Sequence, residues 1–332
     1  VTTAQPRDRF VELDGTRVHY VTVAGPEDGP TFVLVHGLGG SWANWADVMP
    51  LLAERGRVIA LDLGGHGMTR VAPALAKVPA NLRLLQRFVQ TVCDRPAIVA
   101  GNSMGGLLTA KLAAADKRAV AGAVLIDPAI PISPTKRPHP LVAVGFGIYA
   151  TPGLGPRFLA DQAKRASLEQ QVRGVLKLVT SDIKRVSPEL FKLHLDGAAQ
   201  RREEVPDGDA QFLAAAKSVL WEITRRGKYA ATMNKILQPV LLLHGARDKL
   251  VSVRAAQGLA AAHPQWTYVE GAAQGHTPML DYPEWVADNM LRWLDQHPEM
   301  ARRASAPSTA GPAATPTASP AATPTEAPSA GG

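Results

Sequence analysis

The chain has 332 residues, 46% of them apolar, enough for one large domain with a sizeable core or two small domains. Its single cysteine, Cys93, excludes an internal disulfide framework and any cysteine-based metal cluster. The formal charge of +7 falls wholly within residues 134–238, which hold 17 Lys and Arg against 10 Asp and Glu, and those charges are too scattered and too little interleaved with aromatics to suggest a nucleic-acid platform.

In chain order, the first ten residues, VTTAQPRDRF, carry no apolar run of the secretory kind, so a soluble cytoplasmic protein is expected. RVHYVTV (17–23) reads as a strand with mixed faces. TFVLVHG (31–37), RVIALDL (57–63), AIVAGN (97–102), AGAVLID (121–127) and PVLLLHG (239–245) are almost continuously apolar, the pattern of parallel strands covered on both faces. QWTYVEG (265–271) is a further strand. Helical periodicity falls between them, at 42–55, 80–93, 104–115, 252–262 and 283–294. Strands alternating with helices mean βαβ units and a mostly parallel sheet.

Residues 134–238 break this rhythm. They read as a helical insertion, and the Gly- and Pro-rich apolar run at 141–158 is its most unusual part. The expectation is that this run lines an acyl pocket and moves; with Arg157, Lys164 and Arg165 nearby, it also suits transient contact with a membrane surface. From residue 304 on, the sequence offers only Ala, Pro, Thr, Ser, Gly and one Glu, which is read as a disordered tail. The expected organisation is a core domain at 1–133 and 239–303, a helical cap or lid at 134–238, and the tail at 304–332.

GNSMGG (101–106) follows an apolar strand and opens a helix. It fits the G-x-S-x-G elbow, in which a strained turn holds a serine hydroxyl clear of the sheet edge. Ser103 is therefore the candidate nucleophile. A serine hydroxyl needs a base, and His276, in the loop after the last strand, lies over the same sheet edge. Asp248, in the loop after PVLLLHG, is the candidate orienting acid, with Asp127 in VLIDPAI as the alternative. The tetrahedral intermediate needs two backbone donors, and the candidates are the N–H groups of Met104 and Leu38, the latter in HGLGG. Trp42, Phe146 and Tyr149 are candidate substrate contacts. Such a site needs neither cofactor nor metal.

The blocks HGLGGSWANW, ALDLGGHGMTR, GNSMGG, LLLHGARDKLV and GHTPMLDYPE occur in the order seen in α/β-hydrolase fold proteins. The resemblance runs from about residue 9 to 297, with the insertion where that family carries its cap. It implies an eight-stranded, mostly parallel sheet flanked by helices and a Ser103–Asp248–His276 triad. The chain is similar to the carboxylesterase, lipase and lactonase branches, and to hydrolases of carbon–carbon bonds in ring-fission products. A serine at the elbow does not fit epoxide hydrolases or haloalkane dehalogenases, whose nucleophile is aspartate. HGLGG lacks the Pro-Gly pattern of many carbon–carbon hydrolases, and GHTPML lacks their tryptophan. The expected activity is hydrolysis of a small apolar carboxylic ester. Carbon–carbon hydrolysis by the same triad is the alternative, and a catalytically silent ligand-binding protein is a third reading.

Overall fold

The computed structural model describes residues 5–131, 147–149, 151 and 153–302. An eight-stranded sheet runs through the molecule: β1 (Arg7–Leu13), β2 (Thr16–Val23), β3 (Thr31–Val35), β4 (Arg57–Leu61), β5 (Ala97–Asn102), β6 (Val120–Ile126), β7 (Val240–Gly245) and β8 (Thr267–Gly271). The strand order is β1-β2-β4-β3-β5-β6-β7-β8. The β1–β2 and β2–β4 pairs are antiparallel, and all others are parallel. The parallel part of the sheet starts at β3, winds to β4, then returns past β3 to β5. Such a reversal opens a crevice at the carboxyl ends of the central strands.

The near-continuous apolar strands are explained by two buried clusters. Val33, Val35, Val99 and Leu242 face one cluster; Phe32, Leu34, Ile98, Leu241 and Leu243 face the other. The first cluster is closed by α2 (Val78–Val92), α3 (Met104–Ala115) and α9 (Val253–Ala262). The second is closed by α1 (Met49–Ala53) and α11 (Pro283–Asp295), with Trp45 and Trp293 at its centre.

Two elements differ from the sequence expectation. The helix expected at 42–55 is a 3-10 turn at Trp42–Trp45 followed by the short α1. Ser41 and Asn44 form a capping box that closes the tight turn, and Trp45 is fully buried beneath it. The strand β1 has no counterpart in the sequence reading. Its signal was the dipeptide Asp14-Gly15, whose φ angles of 49° and 79° make the two-residue turn of a hairpin.

Between β6 and β7 the described chain is helical: α4 (Leu154–Arg165), α5 (Leu168–Val179), α6 (Pro188–Glu204), α7 (Gly208–Thr224) and α8 (Arg226–Met233). Ser167 and Ser187 cap α5 and α6. Residues 141–146, 150 and 152 of the apolar run, and the whole of 304–332, lie outside the described residues. The insertion is fastened to the sheet domain on two sides. On one, Arg201 Nη2 donates to the Gly65 carbonyl (2.7 Å), Gln211 Nε2 donates to the Val71 carbonyl (2.7 Å), and Arg70 pairs with Glu204. On the other, the Asp281 carboxylate accepts from Ser181 N–H and from Ser181 Oγ–H, each at 2.9 Å. Among the described residues no helix is long and apolar enough to cross a membrane.

Candidate active site

Ser103 stands at the corner between β5 and α3, at φ 54° and ψ −115°. That conformation is costly for a residue with a Cβ, and it is the strain expected of a nucleophile elbow. The flanking glycines are required by close approach. A Cβ on Gly101 would lie 2.2 Å from the Gly105 carbonyl oxygen, and one on Gly105 would lie 2.2 Å from the Val35 carbonyl oxygen. The corner is pinned by Ser103 N–H donating to the Ile126 carbonyl (3.1 Å) and by Ala129 N–H donating to the Ser103 carbonyl (3.0 Å).

His276 lies in the loop between β8 and the short helix α10 (Pro278–Asp281). Its Nδ1–H donates to Asp248 Oδ2 at 2.8 Å. This leaves Nε2 to accept a proton. The other carboxylate oxygen, Oδ1, accepts from Leu250 N–H (2.7 Å) and Val251 N–H (3.0 Å). Burial works to raise the Asp248 carboxyl. The adjoining His276 ring, then His244 and the backbone donor, outweigh it and hold the group below the usual carboxylate range. Asp248 is thus an ionised, fully buried acceptor fixed on one side by backbone and on the other by imidazole.

Asp127 stands beneath this pair, at φ 43° at the end of β6. Its Oδ1 accepts from Gly245 N–H at 2.8 Å. Complete burial, reinforced by the neighbouring Asp248 charge, pushes its carboxyl well above the ordinary value, so it keeps its proton. His244 completes the group. Its Nε2–H donates to the Val251 carbonyl (3.2 Å), and burial pushes its pKa down, so it is uncharged. Asp127, His244 and Asp248 bring ligand-type atoms within 4.8 Å of one another. A metal there would compete with His276 for Asp248 Oδ2 and require Asp127 to ionise, so the trio suits hydrogen bonding better than metal binding.

The loop after β3 approaches from the opposite side. His36 Nδ1–H donates to the Gly37 carbonyl (2.7 Å), and its Nε2 accepts from Leu63 N–H (3.0 Å). It therefore braces HGLGG against the DLGG segment. Gly40 N–H closes the loop's turn onto the Gly37 carbonyl, and Leu38, between them, lines the cavity. Met104 is the first residue of α3, where an N–H has no carbonyl within its own helix. Asp62 supports this side: its carboxylate accepts from Trp42 N–H (2.7 Å), Met68 N–H (2.9 Å) and His19 Nδ1–H (2.7 Å).

A cavity of about 500 Å³ joins these parts. Ser103, His276 and Leu38 line it together with Ile130 from the sheet domain and Leu176 and Val219 from the insertion. Among the described residues, the Ser103 hydroxyl makes no hydrogen bond; triad contacts are often loose without substrate. The candidate substrate contacts fare less well. Trp42 is half-buried and packs against the second core cluster, and it is not among the residues that line the cavity. Tyr149 stacks edge-on against Phe158 and Phe212 and is not among the cavity-lining residues. Phe146 lies outside the described residues.

Asn102 is a residue that the sequence reading missed. It is fully buried, and its Nδ2 donates to the carbonyls of His276 (2.8 Å) and Ile126 (3.1 Å). It ties the strand that ends at Ser103 to the backbone of His276. The only signal was its place in the variable position of G-x-S-x-G.

A family model described as alpha/beta hydrolase fold matches residues 30–283. The chain is 26% identical over 305 residues to a 2-hydroxy-6-oxo-6-(2'-aminophenyl)hexa-2,4-dienoic acid hydrolase from Metapseudomonas resinovorans, covering 90% of this chain and 94% of that one. It is 26% identical over 280 residues to a pimeloyl-[acyl-carrier protein] methyl ester esterase from Chromobacterium violaceum, covering 82% and 95%. Against the dihydrolipoyllysine-residue acetyltransferase component of the acetoin cleaving system of Cupriavidus necator it is 27% identical over 277 residues, 82% of this chain but only 65% of that protein's length. The crystal structure of wild-type Cfl2 from Burkholderia cenocepacia superimposes with a TM-score of 0.72 at 23% identity, covering 88% of this chain and 99% of that one.

Proposed function

The chain belongs to the α/β-hydrolase fold family, and on that premise we propose that it is a serine hydrolase cleaving a carboxylic ester with an apolar acyl part. The observation that carries the reading is a strained Ser103 sharing one cavity with a His276 already hydrogen-bonded to Asp248. Ser103 Oγ attacks the ester carbonyl while His276 Nε2 takes its proton. The oxyanion is received by the Leu38 and Met104 N–H groups, each such donor contributing about 3 kcal/mol in sites of this kind. The imidazolium returns the proton to the departing alcohol. Water, deprotonated by His276, then releases the acid and restores Ser103. The helices between β6 and β7 act as a cap that supplies the apolar wall, through Leu176 and Val219.

The test is labelling with a fluorophosphonate. Wild type is expected to be labelled and Ser103→Ala not at all; absence of label on folded wild type refutes the reading. Carbon–carbon hydrolysis remains the second reading because the Metapseudomonas relative carries that name over nearly its full length. Ring-fission products turned over faster than para-nitrophenyl esters would favour it.

A further inference from the structure

The proposed triad uses one buried carboxyl, that of Asp248, yet a second stands beside it at the end of the neighbouring strand. The parallel β6–β7 ladder runs up to this point, where Asp127 N–H donates to the Leu243 carbonyl (2.9 Å). At Asp127 the backbone turns out of the strand, with φ at 43°, and the side chain continues the ladder in its place: Oδ1 accepts from Gly245 N–H at 2.8 Å. A side-chain amide would serve that bond as well, so the bond alone does not explain why a carboxyl is buried here.

The side chains of Asp127 and Asp248 are both closed to solvent, and their oxygens come within 4.8 Å of each other. Among the described residues, no N–H or O–H group meets Asp127 Oδ2. His244 Nδ1 lies 3.4 Å from Oδ1 but is no donor, because the ring's proton is on Nε2 and goes to the Val251 carbonyl. What the Asp127 carboxyl does meet is Asp248, to which it hydrogen-bonds. Two carboxylates cannot bond each other, so one of the pair carries a proton; two ionised carboxyls this close and out of water would repel. Asp248 is the one that stays ionised, since it accepts from Leu250 N–H, Val251 N–H and His276 Nδ1–H, whereas Asp127 has only Gly245 N–H. A carboxylate offers about four lone-pair sites. Those bonds fill three on Asp248, and Asp127 faces the fourth.

We propose that Asp127 is a positioning residue: as a neutral acid it donates its proton to the Asp248 carboxylate, which completes that group's hydrogen bonds and fixes it against His276. This rests on the serine-hydrolase reading and adds to it a residue that touches neither substrate nor the reacting atoms. Its effect is electrostatic as well as geometric. A donor on the far side of Asp248 draws part of the carboxylate charge away from the imidazole, so the group stays ionised in a dry setting and the Nδ1 proton stays on the ring. Among the described residues, the other ionisable groups close to Asp127 are His244, Asp281 and Tyr268, and they are the same in every variant below.

The experiment measures kcat/KM for para-nitrophenyl butyrate against pH in wild type, Asp127→Asn and Asp127→Leu. Asn offers an oxygen to Gly245 N–H and an NH2 group to Asp248, and it is uncharged like the acid it replaces. It is expected to keep kcat/KM within about tenfold of wild type and to leave the acid limb of the profile in place. Leu removes the donor without changing the charge. A further loss of about tenfold, in kcat rather than KM, is expected, the worth of one hydrogen bond to a charged group. The acid limb should move to higher pH, because the base then meets the full Asp248 charge. Were Asp127 ionised, both substitutions would delete a buried negative charge beside the base, and both limbs would move to lower pH. A limb that moves down in Asp127→Asn, or stays in place in folded Asp127→Leu as a packing role would have it, overturns the proposal. Infrared difference spectra of wild type against Asp127→Asn at pH 7 read the proton without activity and without the Leu variant. The C=O band of a protonated carboxyl is expected in wild type and lost in Asp127→Asn, and its absence from wild type overturns the proposal. Fluorophosphonate labelling of wild type separates the two levels. No label refutes the serine-hydrolase reading, whereas normal label without the carboxyl band refutes the role of Asp127 alone.

Discussion

Replacing Asp248 by Asn separates the two candidate acids, and the surrounding hydrogen bonds dictate the outcome. Oδ1 accepts two backbone N–H groups, from Leu250 and Val251, and only an oxygen can do so. In Asp248→Asn the amide oxygen must stay there, and the NH2 group is forced toward His276. It then donates to Nδ1, where wild type accepts. The imidazole is driven into the tautomer that carries its proton on Nε2 and cannot receive the Ser103 proton. In triads of this type the exchange lowers kcat by about 10⁴-fold, or about 5.5 kcal/mol of transition-state stabilisation. Asp127→Asn meets a different setting. Asp127 is already uncharged, and an amide oxygen can keep the Gly245 N–H bond, so a loss of less than about tenfold is expected. Steady-state hydrolysis of para-nitrophenyl butyrate by the two variants, with circular dichroism to establish folding, decides the matter. Equal losses, or a larger loss in Asp127→Asn, would refute the assignment of Asp248 as the orienting acid.

Gly105→Ala places a Cβ 2.2 Å from a backbone oxygen of β3, and should destabilise the protein by about 3 kcal/mol, read as a fall in denaturation midpoint. Asn102→Ala strands the buried His276 carbonyl, while the Ile126 carbonyl keeps its bond from Ser103 N–H; a stability loss of about 1–3 kcal/mol with a severalfold fall in kcat is expected, and an unchanged kcat would deny it a positioning role. His19 is opposed by burial, but Asp62 and Asp8 outweigh this and raise it to about 9 from an ordinary 6.5. The folded state then binds more protons than the unfolded one between those values. The His19 contribution is complete below about pH 6.5 and is lost as pH rises through about 9. Urea midpoints at pH 6, 8 and 10 should therefore fall more steeply in wild type than in His19→Gln, and parallel slopes would contradict the pairing.

The sheet was legible because its strands are buried on both faces. Runs such as TFVLV and VLLLH leave little room for another structure, and their alternate residues divide between the two clusters. The hairpin strand β1 escaped notice because half of it is exposed and only Val11 and Leu13 are buried, so its pattern is faint and the turn was the better clue. Ser103 could be found because strain and close packing force glycine at fixed spacing, which leaves a written trace. His276 and Asp248 could be placed because their loops follow consecutive strands at one sheet edge. Asn102 leaves no such trace, because it acts through a backbone carbonyl. Aromatic residues are poor guides to a pocket from sequence, since a large apolar ring suits a core as well, and Trp42 packs half-buried against the second core cluster.

On the proposed serine-hydrolase reading, the base and the substrate wall are parts of one hydrogen-bonded unit. Val179, at the end of α5, lines the cavity, and its carbonyl accepts from both the N–H (3.0 Å) and the hydroxyl (3.2 Å) of Thr277, the residue after His276. Two and three residues on, the Ser181 and Asp182 N–H groups donate to the Asp281 carboxylate, at the end of α10. A Cβ on Gly275, just before the base, would lie 2.7 Å from Ser181 N, so the two backbones are already in close contact. The His276 loop is therefore gripped from three directions: by Asp248 at its ring, by Asn102 at its carbonyl and by α5 along its backbone. A bulky group pressed against Val179 and Leu176 bears on the same segment that sets the orientation of the imidazole. Because packed interiors yield in discrete steps rather than continuously, a substrate that fits this wall leaves the triad in register, while one that displaces α5 pulls on Thr277 and with it the base. On that reading, selectivity for the apolar part of the substrate is expected in kcat as well as in KM, and an acyl-chain-length series that changes KM alone would contradict it.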